Sequence, residues 1–460
     1  MADKFNKQED WPGDGYALAR SLVDLILISI ETRDSNMLDA LLEPLHPADI
    51  ADALEQVSSS QRESLISLWS NFDGAILSEL KESVREEIIL SLAPQILKEA
   101  VRDLESDDVV DLIEDLEHSQ KKLVLDALSD GERIAVEQSL GYPEFSAGRL
   151  MQREVVVAPE HWTVGDTIDY LRGSTSLPDQ FYHIILVSPA YHPTGYVALG
   201  RLLSSNRKVR LVEILEKNFR TVPSFQDEEE VAYAFNQYHL ISAPVVDYDD
   251  RLIGVITIDD AMSVLGEEAQ EDILRLAGVS SDASISDNTF ETVRQRFPWL
   301  AINLGTAILA SVVISQFEII LTQIVALAIL MPIIASMGGN AGTQSLTVAV
   351  RALATKDLTR SNLWRTVRRE VVASLINGFI FAVFMSFIGM FWFGIPLLGF
   401  VIGVAIVINL AIAALAGILI PIGCERLGVD PALASGTFVT TVTDVVGFFV
   451  FLGLASLILI

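Results

Sequence analysis

The chain has 460 residues, half of them hydrophobic, and 32 Lys+Arg stand against 61 Asp+Glu for a formal charge of −29. That is too long for one ordinary core, and the charge is segregated: residues 301–460 hold 7 bases and 6 acids, whereas residues 1–300 hold 25 bases and 55 acids. An acidic water-soluble region fused to a nearly neutral apolar one disfavours a nucleic-acid binder, which needs a basic surface, and excludes a purely soluble enzyme.

The amino-terminal MADKFNKQEDWPGDGY lacks the apolar stretch of a signal peptide, so residues 1–300 are expected in the cytosol. Over residues 1–140 apolar positions recur at three and four between short polar breaks, which predicts helices only. LHPADIADAL from Leu45 and LESDDVVDLI from Leu104 resemble each other, each with a break, an acid at a helix start and leucine-type spacing. Asp49, Asp107 and Asp108 suit the positive end of a helix dipole, and capping is the ordinary role of such acids. Stacked helical hairpins follow, an all-α superhelical domain over 1–140.

After GYPEFSAGRLM the period changes. A strand–helix–strand–strand–helix pattern occurs twice at a spacing of 59 residues, HIILVSPAYHPTGYVALGRLL from His183 and SAPVVDYDDRLIGVITIDDAM from Ser242, with Val187 matching Val246 and Gly195 matching Gly254. The pattern resembles a tandem pair of CBS domains, an α/β architecture, over 141–205 and 206–272. The first copy departs from it around Tyr191–Thr194. A polar linker, SSDASISDN, then leads to FETVRQRFPWL, whose Arg294 and Arg296 precede the first long apolar run; residues 273–298 are expected to form a connecting helix ending at the membrane surface.

Five runs are long enough to cross a hydrocarbon core of about 30 Å, roughly 299–320, 321–345, 371–394, 396–422 and 435–459, giving a five-helix transmembrane domain over 299–460. The 346–370 loop carries Arg351, Lys356, Arg360, Arg365, Arg368 and Arg369, whereas the turns near Glu318 and at 393–399 carry no base. The positive-inside rule puts that loop on the cytosolic side with residues 1–300, and an odd number of spans puts the carboxyl terminus outside.

Within the apolar runs only Glu318 and Asp444 ionise in the usual range, and no Lys, Arg or His shares a span with them; all six histidines lie at or before His239. A carboxylate near the bilayer centre costs about 2.5–3.5 kcal/mol, normally offset by a partner or a water-filled path. With no protein base in place, the compensating charge is a proton or a permeating cation. Glu318 falls near the outer boundary, where an exposed acid costs little. Asp444 lies about a third of the way into the last span, beside the hydroxyls of Thr440, Thr441 and Thr443, and Gly436 and Gly447 permit close helix approach.

In the second span, Pro332, Gly338, Gly339 and Gly342 of MPIIASMGGNAGTQS are expected to interrupt an otherwise apolar helix, freeing carbonyls that can line a cavity and ligate a cation. Asn340, Thr343, Gln344 and Ser345 continue a polar face. Carboxylate, amide and hydroxyl oxygens suit Mg²⁺, Ca²⁺ or Mn²⁺ rather than Zn²⁺ or Cu⁺, and a single strong ligand per chain fits a hydrated Mg²⁺ held through water. Two chains about a two-fold axis would bring two Asp444 carboxylates around one ion. The lone Cys424 supports neither a disulfide framework nor a thiolate zinc site, and no nucleophile–base pair, Walker loop or dinucleotide fingerprint points to an enzyme.

GGNAGTQS, the RALATKDL that follows it, RLGVDPALASGTFVTTVTDVVGFF, the CBS pair and the helical repeat occur in an order that resembles the MgtE family of magnesium channels from end to end. The resemblance implies a homodimer in the lipid bilayer of a bacterial cytoplasmic membrane. Its pore would lie between the chains, lined by the second and fifth spans with Gly338, Gly339, Asn340 and Thr441, and Asp444 would be the central filter carboxylate. It also implies a cytosolic Mg²⁺ sensor that closes the pore, with Asp107, Asp111, Asp227, Glu229, Asp260, Glu268, Glu271, Asp272 and Asp430 as regulatory acids. His239 and Ser263 stand where the family has acids, and Gly436 replaces an asparagine. CBS pairs elsewhere bind adenine nucleotides and the family accepts ATP, but no residue of this sequence is assigned that role. Two other classes compete: a proton- or sodium-coupled transporter, which would carry more than one deep titratable group or an inverted repeat, and a membrane-tethered nucleotide sensor, which leaves Asp444 unexplained.

Overall fold

The computed structural model describes residues 18, 20–69, 72–102, 104–114, 116, 118–174, 177, 178, 180–216, 219–280, 289–359 and 361–459. MADKFNKQEDWPGDGY and all but Ser280 of SSDASISDN lie outside them. The chain forms two units, Met1–Leu265 and Gly266–Ile460.

Among the described residues the first unit opens with ten helices: α1 Arg20–Thr32, α2 Ser35–Leu42, α3 Pro47–Gln56, α4 Ser59–Leu68, α5 Gly74–Glu79, α6 Glu82–Ser91, α7 Pro94–Arg102, α8 Ser106–Glu114, α9 His118–Leu125 and α10 Asp130–Ser139. Their starts follow local chemistry. Pro47 opens α3, where its missing N–H costs nothing, and His46 Nδ1 accepts from the Ala48 N–H at 3.3 Å, so His46 takes the capping role expected of Asp49. Ser129 and Glu132 make a reciprocal capping box on α10. The apolar faces share one core that includes Leu38, Leu54, Leu77, Ile88, Val101 and Ile113.

After the short α11 (Ala147–Leu150), β1 Val157–Pro159, α12 Val164–Gly173, β2 His183–Val187, β3 Pro193–Ala198 and α13 Leu199–Ser204 build the first α/β copy. The second comprises β4 Val222–Pro223, α14 Glu228–Tyr238, β5 Ser242–Val246, β6 Leu252–Thr257 and α15 Ile258–Leu276. Each copy holds a three-stranded sheet, parallel then antiparallel, and the registers repeat: Leu186 faces Gly195 as Val245 faces Gly254. Tyr191 (φ 67°) and Asp250 (φ 57°) both turn their hairpins in the left-handed region. Aspartate tolerates that conformation far better than tyrosine, so the first copy keeps the hairpin while its sequence departs from the pattern. His183 Nδ1 and Ser242 Oγ, 59 residues apart in equivalent positions, meet at 2.6 Å. Ile185, Val187, Leu252 and Val255 form an apolar seam between the copies.

In the second unit, α16 Thr289–Ser315, α17 Glu318–Gln323, α18 Ala326–Ala354, α19 Leu363–Phe393, α20 Pro396–Arg426 and α21 Pro431–Ile458 follow the end of α15. Five are long and apolar enough to cross a membrane; α17 is the short one between the first two spans. α20, apolar on every side, is the hub against which α18, α19 and α21 pack: 61% of its most apolar stretch is buried, against 6% for α16.

Three expectations change. No separate connecting helix over 273–298 exists among the described residues: 273–276 end α15, and FETVRQRFPWL runs into the first span as one helix, because Pro298 removes one backbone N–H while its φ remains helical. The basic 346–370 loop shrinks to 355–362, since Arg351 extends α18 and Arg365, Arg368 and Arg369 open α19. The glycine-rich MPIIASMGGNAGTQS does not interrupt α18, which is continuous over 29 residues. Its glycines serve approach instead: a Cβ on Gly342 would come within 2.6 Å of Val439 of α21, and one on Gly417 of α20 within 2.7 Å of the Gly342 carbonyl oxygen.

Candidate cation path and acidic clusters

Helices α18 and α21 pack side by side, with Gly339 facing Thr440. Ser336, Asn340, Thr343, Gln344 and Thr347 lie on the outer face of α18, exposed on the single chain. Their spacing of three and four makes a polar stripe along a membrane-length helix. Asn340 Nδ2 reaches Ser336 Oγ at 3.5 Å within that stripe. Ser345, expected on the same face, is instead buried beside Gly417. Gly338, expected to line the path, is buried against Asn409 of α20, because one residue along a helix turns the side chain about 100°.

On α21 Asp444 is half-buried and makes no hydrogen bond or ion pair to any described residue. Thr440 Oγ1 donates to the Gly436 and Thr437 carbonyls at 3.0 Å, Thr441 Oγ1 to Thr437 at 2.6 Å, and Thr443 Oγ1 to Thr440 at 2.9 Å. With their protons spent on their own helix, the half-buried Thr440 and Thr441 oxygens keep lone pairs, which suits hydrated cations, whereas Thr443 is fully buried. Glu318 is exposed in the first turn of α17, as expected of an interfacial acid.

A second concentration of charge lies within the first unit. Burial and then the neighbouring Asp260 raise Asp107 well above the ordinary carboxylate range, and burial and then Asp259 push Asp260 up to about 7. Two further acids share this environment, Glu105 and the Asp108 expected only to cap its helix. Glu105 is pushed up to about 7 by burial, then Glu154 and Asp108; Asp108 reaches about 6 by burial, then Asp111 and Asp259. No Lys, Arg or His pairs with Glu105, Asp107, Asp108, Asp259 or Asp260 among the described residues. Glu154 accepts from Ser106 Oγ at 2.7 Å and Asp260 from Thr257 Oγ1 at 2.7 Å. Asp111 turns outward to Arg85 at 2.7 Å. Asp227 caps α14, accepting from the Glu229 N–H at 3.0 Å. In the sequence, Glu105 is marked only by its place two residues before Asp107.

At the other end of α15, Glu268, Glu271, Asp272 and Arg275 follow one another at helical spacing. Arg275 pairs at once with Glu271 and with Asp430 at the start of α21, and Asp430 Oδ1 accepts from the Ala432 N–H at 2.6 Å. Asp272 is raised by burial, then by Asp430. Among the described residues no three carboxylate, imidazole or thiol groups converge on one point. Mg²⁺ keeps most of its waters and needs only one or two carboxylates, so pairs such as Asp107–Asp260 and Asp272–Asp430 suit it.

His239 ends α14 in the left-handed region (φ 54°) and lines a cleft of about 660 Å³ with His183, Tyr196, Phe219, Arg220 and Tyr238. The Arg220 guanidinium lies 3.7 Å above the Tyr238 ring. Ser263 is exposed on α15, and a Cβ on Gly436 would approach the Leu276 carbonyl oxygen at 3.8 Å.

The model of the MgtE divalent cation transporter family matches residues 331–454, that of the MgtE intracellular N domain 45–145, and that of the CBS domain 211–267. The magnesium transporter MgtE of Thermus thermophilus is 32% identical over 94% of this chain and 97% of its own length, and that of Bacillus subtilis 28% identical over the same shares. The cytosolic domain of the Mg²⁺ channel MgtE, solved in complex with ATP, is 27% identical with a TM-score of 0.49, over 53% of this chain and 99% of that one.

Proposed function

Because this chain belongs to the MgtE family and is therefore a Mg²⁺ transporter and not an enzyme, we propose that two copies assemble so that their α18 and α21 faces enclose a pore with Asp444 at its centre. The observation that carries this reading is the polar stripe of α18 beside an unpartnered Asp444. Facing lipid, that surface would be costly; facing its symmetry mate, it lines a water-filled path. Two carboxylates then hold one hydrated Mg²⁺, with Asn340 and Thr441 oxygens beside its water shell. The domain with the intracellular model lies in the cytosol of a bacterium, and five spans leave the carboxyl terminus outside its cytoplasmic membrane. Purified protein in liposomes tests the class: Mg²⁺ flux should follow the Mg²⁺ electrochemical gradient without a coupling ion, and a requirement for a proton or sodium gradient at fixed membrane potential would favour a coupled transporter.

The acidic clusters make the cytosolic part a Mg²⁺ sensor. Acids that repel one another when bare are bridged by Mg²⁺, which favours the compact arrangement, and compact is closed. Asp107 with Asp260, and Glu271 and Asp272 with Asp430, are the main pairs; Asp111, Asp227, Glu229 and Glu268 add to the local field. Arg275 competes with Mg²⁺ for Glu271 and Asp430, so Arg275→Gln should lower the cytosolic Mg²⁺ that half-closes the channel about threefold, the size set by a partly exposed ion pair. Flux measured against internal Mg²⁺ reads that shift.

The cleft of His183, Tyr196, Arg220 and Tyr238 fits an adenine nucleotide, with aromatic faces for the base and one guanidinium for phosphate. Arg220→Ala in the full-length protein should weaken ATP binding about tenfold by calorimetry, the loss expected for one charge-assisted hydrogen bond.

A further inference from the structure

Asn409 lies within α20, the most apolar helix of the chain, and its side chain is completely buried. Its Nδ2 donates to the Ile334 carbonyl oxygen of α18 at 3.0 Å, while its Oδ1, also buried, accepts from no group among the described residues. Two glycines make room for the amide. A Cβ on Gly338 of α18 would run into Nδ2, and one on Gly447 of α21 would sit 2.8 Å from Nδ2 and 3.1 Å from Oδ1. The amide is thus wedged where three helices meet. Gly338 immediately precedes Gly339 and Asn340 on α18, and Gly447 is one helical turn beyond Asp444 on α21.

A buried amide oxygen with no donor is costly, and leucine would fill nearly the same volume without that penalty. Packing alone therefore does not account for an asparagine here. We propose that Asn409 is a positioning residue for transport. By gripping the Ile334 carbonyl and spacing Gly338 from Gly447, it sets the depth of Asn340 relative to Asp444, although it touches no ion itself. The inference rests on the reading of α18 and α21 as the pore wall. A cation held through its water shell is discriminated by the spacing of its oxygen ligands, so a shift along the helix axes changes selectivity as well as rate.

The test uses full-length protein in liposomes, with Mg²⁺ and Ca²⁺ fluxes and melting temperature measured on the same preparations. Asn409→Leu should melt higher than the native chain, carry Mg²⁺ about tenfold more slowly and show a lower Mg²⁺-to-Ca²⁺ flux ratio. Gly447→Ala, which crowds the amide without removing it, should lower the ratio in the same direction, and it serves if the leucine variant does not assemble. An unchanged flux ratio in the assembled variants would overturn the proposal. Asp444→Asn run in parallel separates the two levels. If that variant still conducts, the pore reading itself fails; if it is silent while the Asn409 and Gly447 variants behave as native, only the positioning role fails.

Discussion

Replacing Asp444 by asparagine is expected to cut Mg²⁺ flux by about a hundredfold or more while leaving the dimer intact. The side chain keeps its shape and loses its charge. A dication about 5 Å from a carboxylate gains several kcal/mol even at an effective dielectric near 20, and each chain of the pair contributes one such term. No neighbouring base can substitute, since Asp444 has no ion-pair partner among the described residues and the threonine hydroxyls beside it bond their own helix. Asp444→Ala should behave alike, and Asp444→Glu should retain part of the flux. Size-exclusion of the variants checks assembly and liposome uptake checks transport; native flux in the asparagine variant would reject the pore assignment.

The second large effect concerns the cluster around Asp107 and Asp260. In these acids the folded state raises the carboxyl pKa, Asp107 included, and for Glu105, Asp108 and Asp260 the folded chain holds protons between about pH 4 and pH 7 that the unfolded chain releases. Stability is therefore greatest below the unfolded pKa values and is lost as pH rises through the folded ones. In chelator, the full-length protein should lose stability steadily across that window, read as a falling melting temperature. Added Mg²⁺ should restore it at neutral pH, because the dication replaces the protons between the same acids. Protease protection of the 140–150 junction should accordingly need less Mg²⁺ at pH 6 than at pH 8. In the double variant Asp107→Asn, Asp260→Asn, protection should be nearly the same in chelator and in excess Mg²⁺. A full Mg²⁺ response in that double variant would remove this pair from the sensor.

These two sites differ in how much of them can be seen along the chain. Asp444 is conspicuous because it is the only acid deep in an apolar run, and the CBS repeat is conspicuous because Val187 and Val246, and Gly195 and Gly254, recur at one spacing. Asp107 and Asp260 are marked along the chain only by the resemblance to the family, and the fold is what makes each the other's neighbour. Asn409 does not stand out along the chain, because an amide in an apolar run carries no charge. Only its contacts with Ile334, Gly338 and Gly447 set it apart. A glycine-rich run does not say which turn of the helix faces which neighbour, and Gly338, expected beside the path, packs against Asn409.

What the linear chain fixes here are properties that need no partner: the separation of acidic from apolar residues, five runs long enough to span a membrane, the period change near residue 141, and the absence of a base near Asp444. Each follows from solvation or local periodicity, which act on residues close in sequence. The tertiary structure decided what depends on which elements meet. It placed Arg275 on Asp430 across 155 residues, fused FETVRQRFPWL with the first span, and set the amide of Asn409 between two glycines on separate helices. Those outcomes rest on long-range packing, in which shape and the need to satisfy buried polar groups select one arrangement from many that hydrophobicity alone would allow.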